Sequence, residues 1–290
     1  MLAYINLRAF LPALALTLLT TGGAVPVTAA REKPNVIFIL IDDLGYGDLG
    51  CTGNRTVPTP NIDRLAAEGT RLTQFHVSSP ICSPSRVAFT TGQYPRRWRI
   101  HSFLNDRAAN RRRGMADFLD PRAPAIARAF KAAGYATAHF GKWHMGGGRD
   151  VGDAPLPQEY GFDESLVSFE GLGDRLLPPG KLSDRSARLG RGEITRVAKH
   201  EQTRVYVDRA IDFIERQKQA PFYLQVWLND VHDPFQPAPG AVDEFAGKGR
   251  SDEDRKFFAV LADMDRQLGR LFEAVDEHGL AEQTLIVLTG

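Results

Sequence analysis

The sequence predicts an α/β protein with a mostly parallel sheet sandwiched by helices. Short apolar runs rich in β-branched residues alternate along the chain with segments whose apolar residues recur at helical spacing. The apolar runs are continuous, which is typical of strands buried on both faces. Strands that alternate with helices favour crossover connections, which place helices on both faces of a parallel sheet. With 290 residues, 43% of them hydrophobic, the chain can form a large core.

The first element, residues 1–30, is predicted to be a signal peptide. Arg8 gives a short positive start, and the apolar run 9–19 is shorter than the roughly 20 residues that cross a bilayer. Small residues then offer a cleavage site near Ala29 or Ala30. A retained membrane anchor is the second interpretation. We therefore expect an exported protein, periplasmic or extracellular, with no membrane contact beyond the leader.

The remaining elements follow from apolar pattern and from capping residues. Thr59 followed by Pro, with Gly69 ten residues later, is typical of a helix start and stop, and Ser83 followed by Pro repeats the start signal. The predicted strands are 35–41, 71–77, 135–140, 222–228 and 284–289. The predicted helices are 59–69, one starting at Ser83, one through Ile126 to Ala133, one through Val207 to Ile214 and one through Phe257 to Leu271.

Two stretches do not fit this alternation. Residues 95–114 carry seven Arg and one Asp, and residues 146–201 are rich in Gly, Pro, Asp and Arg, so both are predicted to be long loops or insertions. The arginines are either a solvated surface, which is the usual case, or a collar that attracts an anionic substrate. The net charge of +1 argues against nucleic-acid binding. Because the sequence stops directly after the strand 284–289, we expect it to be the N-terminal part of a longer protein.

Polar residues follow two of the predicted strands, at the edge of the sheet where ligands bind. Asp42 and Asp43 come directly after the strand 35–41. Their mutual repulsion would be relieved by a divalent cation such as calcium or magnesium, although Asp-rich turns and helix caps are common alternatives. Lys142 and His144 follow the strand 135–140 and would share one side of an extended chain, where they could hold an anion and move a proton. A surface Lys beside a structural His is the alternative.

Two further residues extend this set. His232 lies in a Pro-bounded loop after the strand 222–228. Cys82 lies just before a predicted helix start, where backbone N–H groups favour negative charge, and Arg86 adds a cation one turn later. The same surroundings could lower a thiol pKa. Since an exported protein can form disulfides, a Cys51–Cys82 bridge is the alternative.

The motifs together resemble those of one family. The stretch CSPSR (82–86) matches the Cys-x-Pro-Ser-Arg signature of the type I, formylglycine-dependent sulfatases, which belong to the alkaline phosphatase superfamily. The stretches NVIFILIDDLGYGDLG and AAGYATAHFGKWHMG are similar to that family as well. The resemblance extends discontinuously over residues 34–290. It implies an alkaline-phosphatase-like fold in which residues 31–290 are the N-terminal part of a sulfatase catalytic domain.

The resemblance also implies roles for the candidate catalytic residues. Cys82 would be oxidised to Cα-formylglycine by formylglycine-generating machinery during export, and one hydroxyl of the aldehyde hydrate would attack sulfur. Arg86 and Lys142 would stabilise the charge on the sulfate oxygens. His232 would give a proton to the leaving alcohol, and His144 would act as the base for the second hydroxyl.

The resemblance implies one Ca²⁺ per site, held in part by Asp42, Asp43 and residue 82. The family supplies further ligands from an Asp-Asn pair after a later strand, together with another lysine, and the sequence ends before the pair. Because Ca²⁺ takes about 6–8 oxygen ligands, these three residues alone are expected to bind it poorly.

Four functions are therefore weighed. The first is a calcium-dependent sulfatase acting on sulfated small molecules or polysaccharides. The second is a phosphate or phosphonate monoester hydrolase of the same superfamily. The third is an inactive protein that binds sulfated glycans through the arginines of 96–113. The fourth is an exported domain with a Cys51–Cys82 disulfide. The first is preferred because five polar residue types occur in one order at strand ends.

Overall fold

The computed structural model describes residues 3–5 and 33–290, so the predicted signal peptide lies outside the described residues except for 3–5. The strands are β1 (Ala3–Ile5), β2 (Asn35–Ile41), β3 (Thr70–Leu72), β4 (Ala136–Lys142), β5 (Glu164–Ser168), β6 (Arg175–Leu177), β7 (Ile194–Arg196), β8 (Phe222–Leu228) and β9 (Thr284–Thr289). The helices are α1 (Pro60–Glu68), α2 (Cys82–Thr91), α3 (Arg107–Arg112), α4 (Ile126–Ala132), α5 (Lys181–Arg188), α6 (Lys199–Gln217) and α7 (Asp252–Glu277).

The strands form one sheet in the order β3-β1-β9-β2-β8-β4-β5-β6-β7. The seven strands from β9 to β7 are parallel, and β1 pairs antiparallel with β9 and β3. This confirms the mostly parallel sheet predicted from the apolar runs. The register places the carboxyl ends of β2, β8 and β4 side by side, with Ile41 opposite Leu228 and Gly141 opposite Trp227.

Helices cover both faces of the sheet, as predicted. Alternate residues of β2 point to opposite faces, so Ile37 and Ile39 pack into one core while Phe38 and Leu40 pack into the other. The first core is completed by apolar residues of α1, α6 and α7, and the second by residues of α2, α4 and the segment 98–125. A three-layer arrangement results, and it leaves the carboxyl edge of the sheet for a site.

The structure corrects the prediction for residues 146–201. This stretch holds β5, β6, β7, α5 and the start of α6, so three further strands extend the sheet. Their lengths of three to five residues leave no long apolar run for a sequence pattern to detect. Moreover, Arg175 is buried in β6, where its side chain donates to carbonyls of Ser186 and Gly190. Because a charged residue begins this short strand, the segment lacks the continuous apolar pattern of a buried strand, which explains the error.

Smaller differences concern element ends. The strand predicted at 71–77 is limited to β3, because the chain turns after Leu72. Helix α2 begins at Cys82 itself, with Ile81 as the N-cap residue and without a side-chain cap, rather than at Ser83. The Arg-rich stretch 95–114 is mostly irregular, as predicted, but contains α3. Among the residues described, no helix is both long enough and apolar enough to cross a membrane.

Candidate active site at the carboxyl edge of the sheet

A buried cluster of three charged side chains lies where β2 and β4 end. Asp42 is the residue after β2, and its amide donates to the carbonyl of Leu228 at 2.9 Å, which holds it at the sheet edge. Arg86 Nη2 lies 3.2 Å from Asp42 Oδ1, and Lys142 Nζ donates to Asp42 Oδ2. The exposed fractions are 6% for Asp42, 0% for Arg86 and 2% for Lys142. One carboxylate thus bridges two cations away from bulk water.

Arg86 is fixed in this position by contacts with two strands. Its Nη1 donates to the carbonyl of Lys142 at 2.5 Å, and its guanidinium lies over the Trp227 ring at 5.1 Å from the centroid. Lys142 is the last residue of β4, not a residue of the following loop as predicted. The preceding Gly141 is required for this approach, since a Cβ there would lie 2.0 Å from the carbonyl oxygen of Trp227.

The charges around Asp42 determine its protonation. Burial raises the pKa of Asp42, but attraction to Arg86 and Lys142 outweighs burial and brings the pKa well below its ordinary value. Asp42 is therefore ionised at neutral pH. Its two cations carry one more positive charge than it neutralises, so the cluster is suited to an anion.

Cys82 opens α2 beside this cluster and lines the same cleft as Asp42, Asp43 and Arg86, which has a volume of about 280 Å³. The two cysteines are not joined, which argues against the predicted alternative of a Cys51–Cys82 disulfide. Burial raises the pKa of the Cys82 thiol, an effect opposed by Lys142 and Arg86. The site therefore does not favour an unmodified thiolate nucleophile.

His144 lies behind the cluster and is 3% exposed. Its Nε2 lies 3.4 Å from the carbonyl oxygen of Leu104, and its ring packs edge-on against Phe169 with centroids 4.8 Å apart. Burial, together with the nearby Lys142 and Arg86, lowers its pKa well below the ordinary value. The imidazole is thus neutral, and its surroundings disfavour the protonated form. The backbone φ of 48° at His144 also shows that the extended geometry assumed from sequence does not hold beyond Lys142.

Asp43 and His232 meet at the rim of the site. His232 Nε2 lies 3.6 Å from Asp43 Oδ2, and His232 Nδ1 lies 3.6 Å from a carboxylate oxygen of Asp233. Within the part of the chain that is described, one group of side chains could hold a metal ion, because its potential ligand atoms all lie within 4.8 Å of one another. This group consists of Asp43, His232 and Asp233. The predicted ligand set of Asp42, Asp43 and residue 82 lines one cleft, but in this conformation the Asp42 oxygens face Arg86 and Lys142.

Sequence reasoning missed the residues that hold the His232 loop. Lys199, the first residue of α6, donates from Nζ to the carbonyls of His232 at 2.5 Å and Pro234 at 2.9 Å. One turn later, Thr203 Oγ1 donates to the buried Asp230 at 2.5 Å. The sequence did not indicate Lys199, because the start of α6 lies in the stretch predicted to be loops.

A second cleft, of about 330 Å³, adjoins the cluster at Lys142 and His232. Besides the predicted Lys142 and His232, much of its lining comes from the stretch 146–201, in which the sequence analysis named no site residue. It includes Ser168 at the end of β5, followed by Phe169 and Glu170. The Lys142 ammonium lies 5.3 Å from the Phe169 ring centroid, which joins this cleft to the charged cluster.

Comparison with known proteins gives consistent matches. The family model described as Sulfatase matches residues 34–290. Steryl-sulfatase of Mus musculus is 32% identical, with 91% of this chain and 52% of that protein covered. N-acetylgalactosamine-6-sulfatase of Sus scrofa is 31% identical, with 94% and 53% covered. The chain therefore spans about half the length of the curated relatives it matches.

Solved structures agree with the sequence matches. The crystal structure of Ps i-CgsB superposes with a TM-score of 0.73 at 29% identity, over 89% of this chain and 58% of that chain. Ps i-CgsB in complex with k-i-k-neocarrahexaose also has a TM-score of 0.73, at 28% identity over the same shares. These two structures therefore share the fold of this chain, and the family itself is shown by the family model and the curated relatives.

Proposed function

We propose that the complete protein hydrolyses sulfate monoesters, because the chain belongs to the sulfatase family. The observation that carries the proposal is the buried cluster of Asp42, Arg86 and Lys142 beside Cys82. These residues come from three motifs far apart in the sequence. Their convergence at one edge of the sheet supports a site for a tetrahedral anion next to a nucleophile at position 82.

The proposed nucleophile requires modification of Cys82 to Cα-formylglycine by formylglycine-generating machinery. The aldehyde hydrate supplies one hydroxyl that attacks sulfur and a second whose deprotonation releases the sulfate. Arg86 and Lys142 hold the sulfate oxygens and stabilise the charge that develops on them, a contribution of about 10²–10³-fold for one such donor. Because both side chains are buried and fixed by Trp227 and Asp42, little reorganisation accompanies the reaction.

Calcium is the proposed metal, with Asp42, Asp43 and an oxygen on residue 82 among its ligands. The donor chemistry fits a hard cation, since carboxylate oxygens are preferred by Ca²⁺. Three such residues provide fewer than the roughly 6–8 oxygens that Ca²⁺ takes, so water and additional residues complete the set. When bound, the ion polarises the sulfate and lowers the pKa of the attacking hydroxyl. Lys142 and Arg86 would then share Asp42 with the metal.

Two histidines are proposed to move the protons. His144 is the proposed base for the proton of the second hydroxyl: it is neutral because it is buried beside cations, and the negative charge of a bound sulfate would stabilise the imidazolium that forms. His232 is 33% exposed and lies at the rim between the two clefts, where it can give a proton to the leaving alcohol. Lys199 orders the loop that carries His232 through its two carbonyl contacts.

The proposed substrates are sulfated glycans or sulfated small molecules, and the proposed location is outside the cytoplasm. The crystal complex of Ps i-CgsB with k-i-k-neocarrahexaose supports a saccharide ligand. Exposed arginines of the stretch 96–113, such as Arg111 and Arg112, would attract a polyanion. Export rests on the predicted leader at residues 1–30.

A direct test compares the turnover of 4-nitrophenyl sulfate and 4-nitrophenyl phosphate by the complete protein, produced in a host with formylglycine-generating machinery. We expect a higher kcat/KM for the sulfate ester, and loss of both activities in Cys82→Ala. Cys51→Ala is the matched control, since it removes the other cysteine and should keep activity. A preference for the phosphate ester, or full activity in Cys82→Ala, would contradict the proposal.

A further inference from the structure

The second cleft contains an ion pair, with a buried carboxylate and a partly buried guanidinium, that the proposed mechanism does not use. Arg149 Nε lies 2.9 Å from Glu170 Oε1, and the two side chains are 17% and 4% exposed. Both residues line the cleft that adjoins Lys142 and His232. A buried carboxylate and guanidinium are expensive to remove from water, so a pair kept at the wall of a cleft needs a reason.

The backbone and the packing around the pair hold it in this position. Gly148 lies against Glu170, and a Cβ there would be 2.5 Å from the Glu170 carboxylate, so a larger residue at 148 would displace that carboxylate. Arg149, Phe169 and Glu170 all have positive φ values, of 56°, 33° and 54°. Non-glycine residues adopt this region at a cost in backbone strain, and those that do cluster at active sites and ligand sites.

Glu170 also lacks full compensation for its burial. Burial raises its pKa to about 7, an effect that Arg149 opposes without cancelling. The carboxylate would therefore gain from a further hydrogen-bond donor. A hydroxyl of a ligand can supply one, and it can accept from a guanidinium N–H at the same time.

The rest of the lining matches a ring that is polar at its edge and apolar on its faces. Phe169, Pro178, Pro179 and Leu182 provide apolar surface, and Leu182 is 39% exposed at the cleft. Lys142, Lys199 and His232 add polar groups toward the charged cluster. A volume of about 330 Å³ is at the lower end of small-ligand sites, which span about 300–1,000 Å³.

We propose that Arg149 and Glu170 form the subsite that recognises hydroxyl groups of the leaving alcohol, so that the preferred substrates are sulfate esters of a single sugar-like, polyhydroxylated ring. This inference rests on the proposed sulfatase function. A fully apolar alcohol, such as a sterol, would cover the ion pair without giving it hydrogen bonds. A site with such unpaired polar groups discriminates strongly against the wrong ligand.

The test compares two substrate types in the complete, matured protein. One is a monosaccharide sulfate, chosen as the best of galactose 6-sulfate and glucosamine 6-sulfate, and the other is 4-methylumbelliferyl sulfate, whose leaving group has no free hydroxyl. The variants are Glu170→Gln and Arg149→Lys, and the control is Glu193→Gln, an exposed glutamate outside the cleft. The readout is the ratio of kcat/KM for the sugar ester to that for the aryl ester. This ratio is independent of the active fraction, so partial misfolding does not affect it.

We expect the ratio to fall about 10- to 100-fold in Glu170→Gln and Arg149→Lys, the range for hydrogen bonds to charged groups, and to stay constant in Glu193→Gln. An unchanged ratio in both cleft variants would overturn the subsite. So would a wild-type protein that turns over the aryl ester but neither sugar ester. A wild-type protein that hydrolyses no sulfate ester at all would instead refute the sulfatase function on which the inference rests.

Discussion

Removal of the Lys142 ammonium tests the electrostatics of the site most fully. In Lys142→Met, the buried Asp42 carboxylate keeps Arg86 but loses its second cation. Breaking a buried ion pair by removing one partner typically costs about 3–5 kcal/mol, since the remaining charge stays desolvated. Lys131→Met is the matched control, because Lys131 also pairs with an aspartate, at 2.6 Å, but is 50% exposed. An exposed pair contributes about 0–1 kcal/mol.

The effect of Lys142→Met should depend on pH in a defined direction. The folded pKa of Asp42 lies well below its ordinary value, so the group stabilises the fold above an unfolded pKa of about 3.9 and loses this contribution as pH falls further. Lys142 is one cause of the low pKa. The difference in unfolding free energy between wild type and Lys142→Met should therefore be largest near neutral pH and should narrow below about pH 4.

The assay is urea unfolding followed by tryptophan fluorescence at several pH values, with chelator present so that Asp42 binds no metal. Trp143 and Trp227 are buried near the site and report its loss of structure. Equal destabilisation by Lys142→Met and Lys131→Met would refute the reasoning. A difference that stays constant from pH 7 to about pH 3 would refute it as well.

Three further predictions concern protons and metal. His232→Ala should slow the hydrolysis of an alkyl sulfate by about 10²–10⁴-fold and that of 4-nitrophenyl sulfate much less, since a good leaving group needs little protonation. Lys199→Met should show the same dependence on the leaving group, and the double variant should be no slower than His232→Ala alone. Additive rate losses in the double variant would disprove a shared role in protonating the leaving alcohol. His139 is buried in β4, where its Nδ1 lies 2.9 Å from Gln225 Oε1, and burial lowers its pKa to about 3, so it stays neutral in the folded state at pH values where it is protonated in the unfolded state. As the pH falls from about 6.5 to 3, the unfolding free energy of wild type should therefore fall by up to about 1.4 kcal/mol per pH unit more than that of His139→Gln. The same pH dependence of the unfolding free energy in both proteins would contradict this. Chelation followed by dialysis should abolish sulfate-ester turnover, and added Ca²⁺ should restore it, whereas activity that persists without metal would exclude the proposed calcium site.

The sequence predicted the central sheet because its strands are long and apolar. β2, β8 and β9 match the predicted ranges to the residue, and β4 differs only at its ends. The strands β5, β6 and β7 were missed because a strand of three to five residues has too short an apolar pattern to detect. In addition, the buried Arg175 has the residue type expected of a surface position. The apolar pattern of a sequence indicates a long strand that is buried on both faces of a sheet. It does not indicate a short strand that joins the sheet through backbone hydrogen bonds.

The candidate site was predicted in composition but not in arrangement. Asp42, Arg86 and Lys142 were all expected at the sheet edge, yet nothing in their spacing indicates that one carboxylate bridges both cations. Glu170 and Lys199 were missed, since each is an ordinary charged residue in the sequence. Their significance comes from burial and from partners distant along the chain, which only the fold provides.

The chemical state of residue 82 tests the central claim most directly. Mass spectrometry of the tryptic peptide that spans this position, from catalytically active protein, should give the mass of the aldehyde or its hydrate in place of the cysteine. An active preparation in which Cys82 retains its full thiol mass, or is stably bridged to Cys51, would contradict the account.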